Sequence, residues 1–307
     1  MDYITYSIII DDIVFPTGQT AMGVLGGGGP QTAFGMKLWT DKIGLLGGIG
    51  HDFPADAQEW LEETGLDLSA IRTFAQYQSL RAWQVFEYDG RRTQVWRTQG
   101  QAIPEQLALQ IDHFPASYKK ARAFHFGIHP DNPNLAVIHA LRDAGIVVSV
   151  EPFRDAGREL TSKHVQMLVS AGHIFSPNLI EAESMFGTAD PHEQIKRMVA
   201  AGAQIIALRM GEAGSIVHRA DSGETWQIPA AETAVVDPTG AGNAYCGGFV
   251  VGWCETGDLQ AAGIYGSVAA SFMIEQIGLP PAAKSYKEEA RKRFDAVQFT
   301  SAQLSSY

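Results

Sequence analysis

The residues best suited to chemistry are Asp237-Pro238-Thr239-Gly240-Ala241-Gly242-Asn243. A strand-like run, Thr233 to Val236, precedes them, and a helical run, Ala244 to Glu255, follows. Glycines in such a turn let backbone N–H groups converge beside a helix N-terminus, where the helix dipole adds partial positive charge. The result is an anion hole suited to the charge on a transferring phosphoryl group. A plain strand-to-helix turn would use the same glycines without a ligand. A second cluster, Gly26 to Gly29, lets backbone approach a ligand closely. Asn178 and Glu181 follow Pro177 at spacing i, i+3, on one helix face. Asn178 also reads as a helix N-cap. His125 and His129 flank a strand end, and no H-E-x-x-H pattern occurs.

These residues need elements to hold them. Apolar runs at 4–10, 43–46, 123–126, 146–150, 173–176, 205–208 and 233–236 read as strands. Helix-period stretches at 30–39, 54–63, 132–143 and 193–201 alternate with them. That order predicts crossover units, a mostly parallel sheet and helices on both faces. Residues 79–87 and 92–98 break the rhythm and read as a hairpin around Asp89-Gly90. With 13–25 they are expected to form a small lid beside one α/β domain spanning 1–307.

Composition narrows the function classes. The 307 residues carry 23 Lys+Arg against 34 Asp+Glu, a net charge of −11. That charge disfavours a nucleic acid or an anionic membrane surface as main partner. No apolar run approaches the ~18 residues of a membrane span. The run Tyr6 to Ile10, cut by Asp11 and Asp12, reads as a strand rather than a signal peptide. Cys246 and Cys254 on one helix would lie ~12 Å apart, beyond disulfide reach. Two such thiols cannot build a Cys-rich zinc site, and a reducing, cytoplasmic setting is expected. Gly26 to Gly29 comes too late after the first strand for a dinucleotide fingerprint.

Residues 237–243 resemble the D-T-x-G-A-G-D signature of the ribokinase (PfkB) carbohydrate kinase family, and Tyr245 to Phe249 continue the pattern. In the same order, Gly26 to Ala33 resembles G-G-x-x-x-N-x-A, and Gly47 to Asp52 resembles G-x-D-x-x-G. Glu151 to Arg154 resembles D-P-N-x-R, Pro177 to Ala182 resembles P-N-x-x-E, and Arg209 to Gly214 resembles T-L-G-x-x-G. The likeness spans about residues 4–280. It implies a three-layer α/β/α sandwich with a β-lid and phosphoryl transfer from ATP-Mg²⁺ to a hydroxyl of a small-molecule sugar or nucleoside. A monovalent cation is a further candidate cofactor.

The resemblance also implies site roles. Asp12, Gly27, Gly28, Gly29 and Gln31 would bind the acceptor, although Asp11 and Asp12 compete for solvent and ligand. Asn178, Arg209, Gly211 and Gly214 would hold the nucleotide, and Glu181 would hold Mg²⁺ through water. Gly240, Ala241 and Gly242 would form the anion hole, with Asn243 at the base position. Lid pairing through Trp83, Phe86 and Trp96 would give a homodimer. The departures matter: Asn243 stands where the family has its catalytic Asp, and an amide cannot take the hydroxyl proton. Gln31 replaces Asn, Arg209 replaces Thr, and Glu151 replaces Asp. Gly50 to Pro54 and the Asp-Pro-Thr…Asn signature look most like the fungal maintenance-of-killer branch. A nucleotide-binding protein without useful catalysis is the competing expectation; if the protein is active, Glu151 or His129 is the next candidate base.

Overall fold

The computed structural model describes residues 1–88, 92–133, 135–282 and 284–304. Its strands are β1 (Tyr3–Tyr6), β2 (Ile9–Val14), β3 (Thr20–Gly26), β4 (Ile43–Gly50), β5 (Asp67–Phe74), β6 (Arg81–Phe86) and β7 (Arg92–Trp96). They continue as β8 (Ala123–Ile128), β9 (Val147–Pro152), β10 (Ile174–Phe175), β11 (Ile205–Arg209), β12 (Ser215–Arg219), β13 (Glu224–Ile228) and β14 (Ala302–Gln303). The large sheet runs β14-β13-β12-β11-β10-β9-β8-β1-β4-β5, and a small sheet runs β3-β2-β6-β7. From β11 to β5 the large sheet is parallel; β12 to β14 add antiparallel pairs. One apolar layer packs the Gly28–Lys37, Ala241–Thr256 and Leu259–Met273 helices onto the sheet. The second packs Ala136–Asp143, Ser162–Val169 and Pro191–Ala200 onto the other face. This is the three-layer α/β/α sandwich that the alternation of elements predicts.

Two expectations are corrected. The first strand does not run unbroken from 4 to 10. It stops at Tyr6, and Ser7 adopts φ 79°, a left-handed conformation that costs an ordinary residue roughly 1–2 kcal/mol. Ser7 N–H donates to Leu46 O (3.0 Å) and its carbonyl accepts from Gly29 N–H (2.9 Å). That corner sends the chain out of the large sheet and into β2, so the small sheet begins at Ile9 rather than 13. Residues 233–236 are not a strand either. The N–H groups of Val236 and Asp237 bond Ile274 O (2.8 and 3.3 Å), while the open edge of β13 is taken by β14. Val235 and Val236 are left 65% and 52% exposed.

In the small sheet β6 pairs with β7 antiparallel, and the expected Asp89-Gly90 turn lies outside the described residues. Arg92 of β7 donates to the Phe153 carbonyl just past β9 (3.2 Å). The small sheet is thereby tied across the C-terminal ends of the parallel strands. Phe86 is buried near the ring of Phe15 (6.3 Å), so only Trp83 and Trp96 of the three lid aromatics stay partly exposed.

Candidate active site

The two glycine-led helices meet at their starts. Gly35 and Gly247 let the Gly28–Lys37 and Ala241–Thr256 helices touch backbone to backbone: a Cβ at Gly35 would overlap Ala244 O, and one at Gly247 would overlap Thr32 O. Both N-termini therefore open on one spot. Gln31 Oε1 accepts from Asn243 Nδ2 at 2.6 Å. A Cβ at Gly240 (φ 82°) would lie 2.5 Å from Gln31 Cδ, and one at Gly28 would lie 3.9 Å from Asn243 Oδ1. Two motifs 212 residues apart in sequence thus share one polar pair. The bond turns Asn243 Oδ1 toward Gly28 and the Ser7 hydroxyl, where it can accept a hydrogen bond but cannot keep a proton. Gly27 caps the first helix with φ 82°, and a Cβ at Gly29 would collide with Ser7 O.

The turn before the second helix is held by Asp237, which is buried. Its Oδ1 accepts from Thr239 N–H (2.8 Å) and its Oδ2 from Gly278 N–H (3.3 Å). Ala241 N–H goes to Pro238 O (3.3 Å) and Ala244 N–H to Gly240 O (2.9 Å). Among the described residues the N–H groups of Gly242 and Asn243 have no partner. They are the orphan donors of a helix start, aimed where an anion gains most.

Beneath this turn lies a buried charged cluster that the sequence reading did not assemble. Arg209 Nη2 donates to Ser176 O (2.7 Å) and contacts Glu151 Oε2 (2.9 Å) and Glu181 Oε2 (3.3 Å). Its Nη1 fills the place a side chain at Gly242 would need. Asn178 and Glu181 form a capping box: Asn178 N–H donates to Glu181 Oε2 and Glu181 N–H to Asn178 Oδ1, each 2.8 Å. Burial pushes Glu181 up to about 7 despite Arg209. Burial acts on Glu151 too, but Arg209 and His125 outweigh it and hold that carboxyl below its usual range. Glu151 is the partner that keeps its charge.

His125 Nε2 lies 3.3 Å from Glu151 Oε1, and Ser149 Oγ lies 3.0 Å from His125 Nδ1. Cys246 Sγ lies 3.5 Å from Glu151 Oε2 and 3.4 Å from Ser176 Oγ. The His125, Glu151 and Cys246 ligand atoms fall within 4.8 Å of one another, a spacing a metal could use. Arg209 already neutralises Glu151, and burial raises the Cys246 thiol, so the trio serves as a hydrogen-bonded seat for the guanidinium. The His129 ring lies edge-on to Phe153 at 5.4 Å. For a divalent cation beside a nucleotide the fit is through one atom. Glu181 Oε1 takes no hydrogen bond among the described residues, which leaves one carboxylate oxygen for a metal-bound water.

The acceptor side departs from expectation. Residues alternate faces along a strand, so Asp11 and Asp12 point opposite ways from β2. Asp12 is 0% exposed, accepts from Gly23 N–H (2.8 Å) and pairs with Arg97, which lies over the Trp83 ring. Asp11 instead accepts from Gln84 Nε2 (2.8 Å), and its Oδ2 occupies the space a side chain at Gly26 would fill. The carboxylate turned to the first glycine cluster is Asp11, not Asp12. Burial pushes Asp11 up to about 6, against Gln84 and Arg92. Gly211 (φ 60°) and Gly214 (φ 82°) shape the β11–β12 turn just past Arg209.

The sequence profile of the pfkB family carbohydrate kinases matches residues 6–284. The chain is 25% identical over 257 residues to a cytidine kinase of Thermococcus kodakarensis, covering 82% of this chain and 88% of that protein. It is 32% identical over 163 residues to Protein MAK32 of Saccharomyces cerevisiae, covering 46% and 45%. The structure of Arabidopsis thaliana ribokinase complexed with ribose and ATP superposes with a TM-score of 0.71 at 21% identity, over 95% of this chain and 98% of that one. No helix among the described residues is long and apolar enough to cross a membrane. A parallel sheet tied under a small β-sheet, two glycine turns meeting at an orphan-donor helix start and a matching profile over most of the chain agree: the chain belongs to the pfkB family of carbohydrate kinases, with the ribokinase-like fold.

Proposed function

We propose that the protein is a phosphotransferase that moves the γ-phosphoryl group of ATP to a hydroxyl of a sugar or nucleoside. The observation that carries this is the meeting of both glycine turns at the Gln31–Asn243 pair, with the Gly242 and Asn243 N–H groups unspent. Gly240, Ala241 and Gly242 cradle phosphate oxygens. Asn178, Arg209, Gly211 and Gly214 shape the nucleotide side, and Glu181 holds a water of Mg²⁺. That cation, when bound, offsets charge on the β- and γ-oxygens. Gly27 to Gly29 and Gln31 border the acceptor, and Asp11 takes its hydroxyls in the role first assigned to Asp12. The small sheet acts as lid, and its Trp83 and Trp96 are the contacts for a homodimer.

In the step, the acceptor oxygen bonds to the γ-phosphorus while the bond to the bridging oxygen breaks, leaving its electron pair on ADP. Asn243 Oδ1 orients the hydroxyl by accepting its hydrogen bond. The transition state is loose, so the hydroxyl proton leaves late, to an oxygen of the transferred group. Glu151, locked on Arg209, does not replace the missing carboxylate; His129 stays the second candidate base.

The test is calorimetry with ATP-Mg²⁺ followed by ADP release with ribose, fructose, cytidine and other nucleosides, in potassium buffer. ATP at 100 times its Kd should raise stability by ~2.7 kcal/mol. No nucleotide binding at millimolar concentration overturns the proposal. The second reading, a binding protein without useful catalysis, rests on Asn243 and wins if nucleotide and acceptor both bind without turnover.

A further inference from the structure

Arg209 is held in an unusual way. A guanidinium has five donor hydrogens, yet here three acceptors crowd onto Nη2 alone: Ser176 O, Glu151 Oε2 and Glu181 Oε2. Its Nε is buried without a hydrogen-bond partner, and no described residue accepts from Nη1. The idle Nη1 faces the first turn of the Ala241–Thr256 helix, because it abuts Gly242 where a Cβ would sit. Three further donors stand around the turn. They are the unpaired N–H groups of Gly242 and Asn243 and the Thr239 hydroxyl, which is buried without a partner in a residue 5% exposed. A guanidinium serving only as counter-ion to Glu151 and Glu181 would spread its donors over both carboxylates. This one is clamped at Nη2, its side chain 11% exposed, with Nη1 left for an anion.

We infer that Arg209 is a catalytic residue of phosphoryl transfer: its Nη1 amino group, with the Gly242 and Asn243 N–H groups, receives the transferring phosphoryl group. The inference rests on the kinase reading and deepens it. As the acceptor oxygen bonds to phosphorus and the bridging oxygen departs with its electron pair, charge spreads over the three equatorial oxygens. A fixed cation in a dry site stabilises that charge without reorganising. This offsets part of what Asn243 forgoes as a base. Glu151, seated by His125 and Cys246, is then a positioning residue that fixes the guanidinium.

The test compares wild type with Arg209→Lys, which keeps the charge for Glu151 and Glu181 but loses the planar edge. Binding is measured for ADP alone and for ADP with aluminium fluoride, a mimic of the transferring group, alongside kcat and KM for ATP. The expected result is a kcat ~10²-fold or more lower, with affinity for ADP-fluoride falling in step and by far more than affinity for ADP alone. A folded Lys variant that keeps both kcat and ADP-fluoride affinity within about threefold overturns the inference. If the variant does not fold, a wild-type crystal with ADP and aluminium fluoride decides. Fluoride within hydrogen-bond distance of Nη1 supports the assignment, and a fluoroaluminate bound out of reach of Arg209 overturns it. Wild type that binds no ADP at all sinks the kinase reading and this inference together; ADP binding with an indifferent Arg209 sinks this inference only.

Discussion

The proposed lid wall and the sheet wall each hold two buried carboxylates against an arginine, and the two walls solve the same charge problem differently. On the lid wall, strand alternation separates Asp11 from Asp12 and gives Arg97 to Asp12 alone. Among the described residues Asp11 has no cationic partner in direct contact, and burial lifts it to about 6. On the sheet wall, Glu151 from β9 and Glu181 from a helix start converge on Arg209. One carboxylate keeps its charge and the other rises to about 7. In the proposed reading the lid wall presents a carboxylate to hydroxyls, and the sheet wall presents a guanidinium to phosphate. Carboxylates and arginine occur on both walls, and backbone geometry decides which group is left over.

The largest expected effect breaks the sheet wall. Arg209→Met leaves Glu151 and Glu181 buried together, which should cost ~3–5 kcal/mol of stability in urea unfolding at pH 8. Arg97 is 38% exposed, so water can replace it beside Asp12, and Arg97→Met should cost less, ~1.5–3 kcal/mol. Equal losses would mean the two arginines do the same work and would undo the contrast.

Next comes the centre between the walls. Asn243→Asp puts a carboxylate where it can take the hydroxyl proton, beside a helix start that favours negative charge. Gln31 now accepts from Asn243 Nδ2, and turning its amide lets Nε2 donate to the new carboxylate. Turnover with the true acceptor should rise ~10²-fold. An unchanged rate in a variant that binds acceptor normally would mean proton removal is not the missing element. A smaller effect probes the lid wall. Asp11→Asn should raise acceptor KM ~10–100-fold, the cost of a hydrogen bond to a charged group, and leave ATP affinity alone. Asp12→Asn should lower stability with little change in KM. The reverse pattern would return the acceptor role to Asp12.

Much of this was readable from residues alone, and the rest failed for physical reasons. Glycine turns and capping pairs act over a few residues, so Gly240 to Gly242 and Asn178 with Glu181 stand out without a structure. The strand–helix alternation gives the layers for the same reason. Ser7 hid the first corner because a serine at positive φ carries no glycine or proline mark. Residues 233–236 have the β-branched look of a strand, but strand character needs a free sheet edge, and β14 comes from the far end of the chain to fill it. Asp11 and Asp12 are adjacent, so the corner at Ser7 and the irregular β2–β3 register decide which one meets the glycines. The Arg209 cluster draws on β8, β9, β11 and two helices, and only the departure from Thr at 209 hinted at it.

The smallest effect concerns pH and tests whether the leftover carboxylates are protonated as described. Unfolded Asp and Glu titrate near 4, while Asp11 sits at about 6 and Glu181 at about 7 in the folded protein. The folded state therefore binds more protons than the unfolded chain between about pH 4 and pH 7. Stability from these two groups is full below the unfolded value and is lost as pH rises through 6 and then 7. Glu151, held low, works the other way and loses its contribution only as pH falls below the unfolded range. Between pH 5 and pH 8 the first pair dominates, and Tm should drop. Asp11→Asn should flatten the part of the slope nearer pH 5, and Glu181→Gln the part nearer pH 7. A Tm that climbs steadily from pH 5 to pH 8 in wild type would mean both carboxylates are ionised throughout. Arg209 would then hold two full charges, and the difference between the walls would lie in placement alone.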